Sequence, residues 1–221
     1  MINVSEGWNE NQKNLSIYLS KQNTFEKGIK LLMEMHGLLH DKKVYNITKE
    51  TYNSKLWENL KEETCKIISK KETSILWNIW HITRIEDLIS NILIGNKETI
   101  FNKEIQKKLN VKIKDTGNAM EFSDIEIFNK NICIKELKEY RIKVGKSTKK
   151  IIENIKFNDI IRKVEKEQLE KIRKNGNDPK SIWLLDFWSR KNVLGLIMMP
   201  ITRHQIVHLN DCFKIKLKYN K

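Results

Sequence analysis

A chain of 221 residues suits one large domain or two small ones and is long enough for a single buried core, although its content of 39% hydrophobic residues is somewhat low. Only two prolines and eight glycines argue against a turn-rich β fold and favour long helices. The net charge of +14 suggests a nucleic-acid partner, but only six of the 42 basic residues are arginine and the lysines are dispersed. We therefore interpret the charge as a solvated surface and regard nucleic-acid binding as unlikely.

The cysteines and the apolar segments indicate the compartment. Cys65, Cys133 and Cys212 are far apart and form no Cys-x-x-Cys pair, which is typical of a reducing environment. The first ten residues contain no apolar run, so we expect no signal peptide. The longest apolar stretch, 193–201, is interrupted by glycine and proline and is too short to span a bilayer. We expect a cytoplasmic protein outside the membrane.

Apolar residues recur with the helical period of about 3.6 residues along most of the chain. Thr24, Thr73 or Ser74, and Ser181 are candidate N-caps, while Gly95 and Asn96 form a stop signal. Residues 115–120 lack a period and predict a loop. The expected helices cover 14–19, 24–40, 54–68, 75–94, 97–109, a short stretch from 123, 134–155, 168–174, 182–198 and, after Pro200, 202–217.

These elements predict an all-α protein forming a single domain over residues 1–221. Its core is a four-helix bundle of 24–40, 74–94, 134–155 and 181–217, with additional connecting helices around it. Facing helices of such bundles are a common place for metal sites. Neighbouring core helices could therefore bring distant histidines together.

Histidines are the clearest chemical signal, because three of the five fit one metal site. His204 and His208 are four residues apart, so they share a helix face and can present two nitrogens to one ion at about 2.0–2.1 Å. His81 on another core helix would complete a three-ligand site with an open position. The alternative is that these are hydrogen-bonded core residues. Gln205 excludes the metalloprotease pattern, which needs glutamate there.

A second pair, His36 and His40, has the same spacing and faces inward by periodicity. We expect these rings to line the pocket of the first site or to donate hydrogen bonds within the core, and metal ligation by them is the less favoured alternative. Glu86 and Asp87 lie close to Arg84 and predict a local ion pair; as catalytic acids they are weak candidates, since nothing in the sequence shows burial. The catalytic residues are unknown at this stage.

Asp211 and Cys212, which follow His208 in the last helix, also have more than one interpretation. Asp211 could be a fourth ligand, an acceptor for a histidine N–H or a surface carboxylate, and we favour the surface carboxylate. Cys212 could supply a thiolate ligand, but a small apolar filler is favoured. Trp77, Trp80, Trp183 and Trp188 are interpreted as core and pocket walls.

Three segments resemble the DinB family, specifically a longer branch of low-GC bacteria. They are 80–87 (WHITRIED), 115–120 (DTGNAM) and 199–210 (MPITRHQIVHLN), and the similarity extends over about 11–216. The resemblance implies a four-helix bundle with a divalent metal held by three histidines, at positions that match His81, His204 and His208. This chain is longer than the typical member and carries the extra His36 and His40 pair.

The resemblance also implies a reaction class, because relatives include thiol-dependent S-transferases and a maleylpyruvate isomerase that use the metal to activate a thiol. We expect a metal-dependent transferase or hydrolase in which Zn²⁺ or Ni²⁺ activates a water or a thiol, with a small-molecule substrate and a low-molecular-weight thiol as partners. The alternatives are a non-catalytic metal-binding bundle of a stress response and, less favoured, a basic nucleic-acid-binding protein. A homodimer is left open.

Overall fold

The computed structural model describes residues 7–176 and 178–221, and this part of the chain is helical without a strand. The predicted all-α class is confirmed. Two π-helical segments, Leu88–Ile94 and Ile197–Arg203, extend or join the α-helices. The α-helices are α1 (Trp8–Leu19), α2 (Phe25–Leu39), α3 (Tyr52–Trp57), α4 (Glu62–Lys66), α5 (Ile75–Asp87), α6 (Lys103–Leu109), α7 (Phe122–Asn131), α8 (Ile134–Ile152), α9 (Lys166–Gly176), α10 (Trp183–Ser189), α11 (Val193–Leu196) and α12 (His204–Tyr219).

Four helices from the predicted core contact one another in a ring. Helix α2 packs on α8, α8 on α5, α5 on α12, and α12 on α2. Every residue of α5 is buried, which makes it the central helix. One hydrophobic cluster extends from Trp8 to Ile215. Because α5 contacts α12, His81 on α5 can lie close to the histidines of the last helix.

Helix α5 begins and ends where the sequence predicts. The Ser74 hydroxyl accepts the N–H of Trp77 at 2.9 Å, so Ser74 rather than Thr73 is the N-cap. After Asp87 the helix continues as the π segment Leu88–Ile94 and stops at Gly95. Asn96 follows with a φ of 49°, a left-handed conformation that prevents further helix. The central helix is therefore fixed at both ends by its own sequence.

Three predicted boundaries are wrong. Helix α1 begins at Trp8 rather than at residue 14. The expected helix over 54–68 is two short helices, α3 and α4, because Asn59 between them has a φ of 50°. The expected helix over 97–109 is shortened to α6, since the Asp87 carboxylate accepts the backbone N–H groups of Ile100 and Phe101. These donors are then unavailable to a helix.

The last core helix also differs from its prediction. The expected stretch 182–198 breaks after Ser189, and a new helix begins where Asn192 Oδ1 accepts the N–H of Gly195 at 2.9 Å. Pro200, in contrast, does not interrupt the chain's helical course, because it lies inside the π segment Ile197–Arg203. Helical structure therefore runs without a gap from residue 193 to 219.

Side chains bond to the backbone around Pro200. The Thr202 hydroxyl contacts the carbonyls of Ile197 and Met198 at 2.9 and 3.0 Å. From α1, Gln12 Nε2 donates to the Met198 carbonyl at 2.6 Å and to the Thr202 hydroxyl at 2.9 Å. These contacts tie the π segment to α1 and provide partners for two of its carbonyls. They also hold the segment that leads directly into His204.

Within residues 7–176 and 178–221, no helix combines the length and the apolar character that are needed to cross a bilayer.

Candidate metal centre

Helices α5 and α12 bring three histidines to one point. His81 Nε2 and His204 Nε2 lie 3.1 Å apart, and the ring centroids of His81, His204 and His208 are separated by 4.5–5.0 Å. One nitrogen from each ring lies within 4.8 Å of the others. The three rings that the sequence analysis predicts for one site therefore lie close together. We call this group the histidine triad.

Hydrogen bonds at the outer nitrogens fix two of the rings. His81 Nδ1 lies 2.8 Å from the carbonyl of Thr116, and a carbonyl only accepts, so Nδ1 carries the proton. His208 Nδ1 lies 2.6 Å from Asn78 Oδ1. Asn78 Nδ2 in turn donates to the Ser74 carbonyl at 2.7 Å, which assigns the amide orientation. In the neutral rings Nε2 is then unprotonated and faces the centre of the triad.

Burial keeps these rings neutral. It lowers the pKa of His81 to about 3, with a smaller contribution from the neighbouring His208. Burial also lowers the pKa of His208 to about 4 and holds that of His204 well below its usual value. At neutral pH all three imidazoles are unprotonated bases, which is the form that binds a metal ion.

The donor set fits a divalent transition metal. Three neutral imidazoles suit Zn²⁺ and its neighbours in the first transition row, and Nδ1–H bonds to a carbonyl and an amide are typical outer partners of metal-ligating histidines. His81 is buried, whereas His204 and His208 are partly exposed, so the triad has a buried side and an accessible side. A ligand from solvent can therefore approach it.

A loop and two tryptophans support the buried side. The Trp77 ring stacks on His81 with centroids 4.6 Å apart and planes 9° apart. Trp77 Nε1 donates to the Gly117 carbonyl, and Trp80 Nε1 donates to that of Asp115. Gly117 has a φ of 78°, which favours glycine, and a Cβ there would lie 3.0 Å from Trp77 Nε1. The predicted 115–120 loop thus positions the Thr116 carbonyl that holds His81.

Asn78 and the Thr116 carbonyl are contacts of the triad that sequence reasoning missed. Asn78 did carry a signal, because an amide inside the apolar run 75–82 must find a partner when that run is buried. The Thr116 contact uses a backbone atom, so the residue type gives no signal. Both act on the histidines rather than on a ligand.

Asp211 and Cys212 do not join the triad. Asp211 pairs with Lys71 at 2.9 Å and with Lys214 at 3.1 Å, in agreement with the surface interpretation. Cys212 is fully buried, and burial raises the pKa of its thiol. Among the described residues, the group that could hold an ion at this point contains only the three histidines.

The prediction for His36 and His40 is half right. Both rings face inward, and both residues are completely buried. They do not belong to the triad, however, but form a separate group with Glu86. Each oxygen of the Glu86 carboxylate lies 2.9 Å from Nε2 of one of these rings, a contact between distant segments that sequence periodicity could not reveal. Asp87 makes the expected ion pair with Arg84 at 3.2 Å, whereas Glu86 does not.

Gln205 lies next to the triad in a buried network. Its Nε2 donates to the Ile82 carbonyl at 3.0 Å, and its Oε1 accepts from Arg141 at 3.0 Å. An amide cannot act as a general base, so the position where a metalloprotease has glutamate is here structural.

Comparison of the chain with protein-family models and with curated proteins gave no match.

Proposed function

We propose that the histidine triad binds a divalent metal ion, Zn²⁺ or Ni²⁺, and that the protein is a metal-dependent enzyme of the DinB family. The observation that carries the proposal is the convergence of one nitrogen from each of the three rings, with His81 Nε2 and His204 Nε2 3.1 Å apart, while the Nδ1 atoms of His81 and His208 have hydrogen-bond partners outside the triad. This arrangement presents neutral lone pairs to one point. The resemblance of residues 80–87, 115–120 and 199–210 to that family supports the same residues.

Bound in the triad, the ion would act as a Lewis acid and lower the pKa of a water or thiol in its open position. The chain's own part is to orient the rings. Thr116 and Trp77 hold His81 on the buried side, and Asn78 holds His208. The partly exposed His204 and His208 leave the other side open to a small molecule.

The surroundings favour a thiol over water as the activated group. Among the described residues no carboxylate belongs to the triad, and Asp211 is engaged with two lysines. Metal-assisted hydrolysis commonly uses a carboxylate as general base. A thiol needs no such base, because a metal ion deprotonates it directly. Thiol transfer to an electrophilic small molecule is therefore the reaction that fits best.

Metal analysis of protein purified without a histidine tag tests the site. The triple variant His81→Ala, His204→Ala and His208→Ala should contain about one equivalent less metal than the unsubstituted protein, with an unchanged helical circular dichroism spectrum. Asp211→Asn is the matched control, since Asp211 lies one turn beyond His208 but bonds only to lysines. Equal metal content in the triple variant and the unsubstituted protein would contradict the proposal.

A second measurement tests the chemistry. Protein reconstituted with Co²⁺ should develop a sulfur-to-cobalt charge-transfer band on titration with a small thiol, and the triple variant should not. A loaded triad that binds no thiol and leaves the electronic spectrum unchanged would favour the non-catalytic metal-binding bundle instead.

A further inference from the structure

We propose that the protein has a second metal site, formed by His36 of α2, His40 directly after its end and Glu86 of α5, that binds a divalent transition metal in the closed core. All three residues are completely buried. We call them the inner cluster. Its argument is independent of the triad and of the reaction proposed above.

The inner cluster brings four donor atoms together. His36 Nε2 lies 2.9 Å from Glu86 Oε1, and His40 Nε2 lies 2.9 Å from Glu86 Oε2. The two rings, one in the last turn of α2 and one directly after it, have centroids 4.3 Å apart. Two imidazole nitrogens and a carboxylate are a ligand set used by Zn²⁺ and Fe²⁺ in proteins.

Unsatisfied polar atoms distinguish this group from an ordinary buried hydrogen-bond network. His40 Nε2, His40 Nδ1 and Glu86 Oε2 are buried without a hydrogen-bond partner. The 2.9 Å contact between Nε2 and Oε2 lacks the alignment of a hydrogen bond. A buried polar atom without a partner lowers the stability of the folded protein. A metal ion bound by Nε2 and Oε2 would satisfy two of the three.

His36 has the outer contact expected of a ligand. Its Nδ1 lies 2.9 Å from the Tyr45 hydroxyl oxygen. That oxygen can accept a hydrogen bond from Nδ1–H when Nε2 binds a metal. The same hydroxyl can donate instead if His36 Nε2–H is bonded to Glu86 Oε1 at 2.9 Å. The metal-free alternative therefore accounts for both nitrogens of His36, but it leaves His40 Nδ1 buried without a partner and His40 Nε2 in a poorly aligned contact with Glu86.

Arg141 is the other charged side chain near the cluster. Its guanidinium donates to the Leu39 carbonyl, to Gln205 Oε1 and to Thr83 Oγ1, at 3.0–3.2 Å. It makes no ion pair with Glu86 among the described contacts, so both carboxylate oxygens are left to the imidazoles. Glu86 is thus a buried carboxylate whose partners are histidines, as a metal ligand would be.

The closed position indicates a structural ion. The backbone of α8 covers His40 at Gly145, where a Cβ would lie only 2.6 Å from His40 Nδ1. The buried residues leave no accessible side like that of the triad. An ion here would link α2 to α5 and would enter during folding rather than exchange with the folded protein.

Refolding with metal tests the inner cluster in a protein that lacks the triad. The triple variant of His81, His204 and His208 is unfolded in guanidinium with a chelator, then refolded with Zn²⁺ or without it, and dialysed against the chelator. Mass spectrometry should find about one retained equivalent of zinc, and the Tm should be higher than that of the metal-free sample. Retention below a tenth of an equivalent, with the same Tm, would overturn the proposal.

Glu86→Gln in this background assigns the ion to the cluster. The substitution keeps the shape of the side chain but removes its charge, and it should abolish retention. Glu153→Gln, at an exposed carboxylate, is the control and should retain zinc. Equal retention in Glu86→Gln and its control would also overturn the proposal. If Glu86→Gln fails to fold, zinc retention and the Tm of the refolded triple variant test the proposal by themselves. The function proposed above is tested separately, by the equivalent of metal that is lost when the three histidines of the triad are replaced.

Discussion

At the scale of single residues, Asn78 determines how His208 faces the triad. Its side chain accepts from His208 and donates to the Ser74 carbonyl, so the amide is held at both ends. Outer hydrogen-bond partners of metal-bound histidines fix the ring orientation and the tautomer. If His208 binds a metal ion as proposed, its orientation as a ligand therefore depends on Asn78.

We expect Asn78→Ala to weaken metal binding at the triad by about 10–100-fold, because His208 loses its fixed tautomer. Competition against a chelating dye measures the affinity. Asn129→Ala is the control, since Asn129 is also a buried amide near Ser74 but contacts no histidine. It should lose stability without losing affinity. Equal affinities in Asn78→Ala and the unsubstituted protein would refute the role of Asn78.

At the scale of elements, the π segment Ile197–Arg203 sets the rotation of α12 and hence the direction of its histidines. A π turn adds about one residue to a helical turn, which shifts the phase of every later residue. Gln12 stabilises this segment from α1. We expect Gln12→Leu to lower the free energy of unfolding by about 1–3 kcal/mol, because hydrogen bonds to buried groups are lost.

Urea unfolding measures this change. Lys13→Ala, at the exposed position beside Gln12, should leave the midpoint nearly unchanged. A Gln12→Leu protein with the stability of Lys13→Ala would show that α1 does not support the π segment.

Helix α8 packs closely on α2 at Gly145. We expect Gly145→Ala to destabilise the protein by about 1–3 kcal/mol, because the new methyl group would displace the buried ring of His40. Gly195→Ala tests helix propensity alone, since its Cβ would meet only the flexible side chains of Lys191 and Asn192. That change should be neutral or stabilising. Thermal unfolding compares the two, and equal effects would contradict the close packing.

At the scale of the whole molecule, buried neutral histidines make stability depend on pH. Burial lowers the pKa of His40 and of His81 from 6.5 to about 3. In the unfolded chain these two imidazoles bind protons below pH 6.5, whereas in the folded chain they remain unprotonated until a much lower pH. The stability from these rings is therefore complete above pH 6.5 and falls as the pH decreases. Burial raises the pKa of Glu86, but His40 and His36 lower it more, so its contribution is nearly constant above pH 5.

We expect metal-free protein to lose on the order of 2 kcal/mol of unfolding free energy for each of these two histidines between pH 7 and pH 5. Urea unfolding after refolding in chelator measures the loss. Between pH 7 and pH 8.5 the same measurement should give a constant value, because the rings are already neutral. Unchanged stability at pH 5 would mean that the imidazoles are accessible to protons in the folded state.

The sequence by itself determined the helical class and the positions of most helices. Few prolines and glycines, the helical period and side-chain caps such as Ser74 are local properties, so they can be read without a partner segment. The spacing of His204 and His208 places them on one face for the same reason. The loop at 115–120 was also predictable, since it lacks a period.

Only the tertiary structure decided which side chains meet. The packing of α5 on α12 joins His81 to the last helix. Side chains that reach across the ring from opposite helices place His36 and His40 beside Glu86 instead of in the triad. Sequence periodicity fixes a face to within one residue, and one residue is a rotation of about 100°. The π segment around Pro200 introduces such a shift, because Gln12 and Thr202 from distant and local parts of the chain stabilise it together. Contacts between segments, which no local pattern encodes, therefore determine the site.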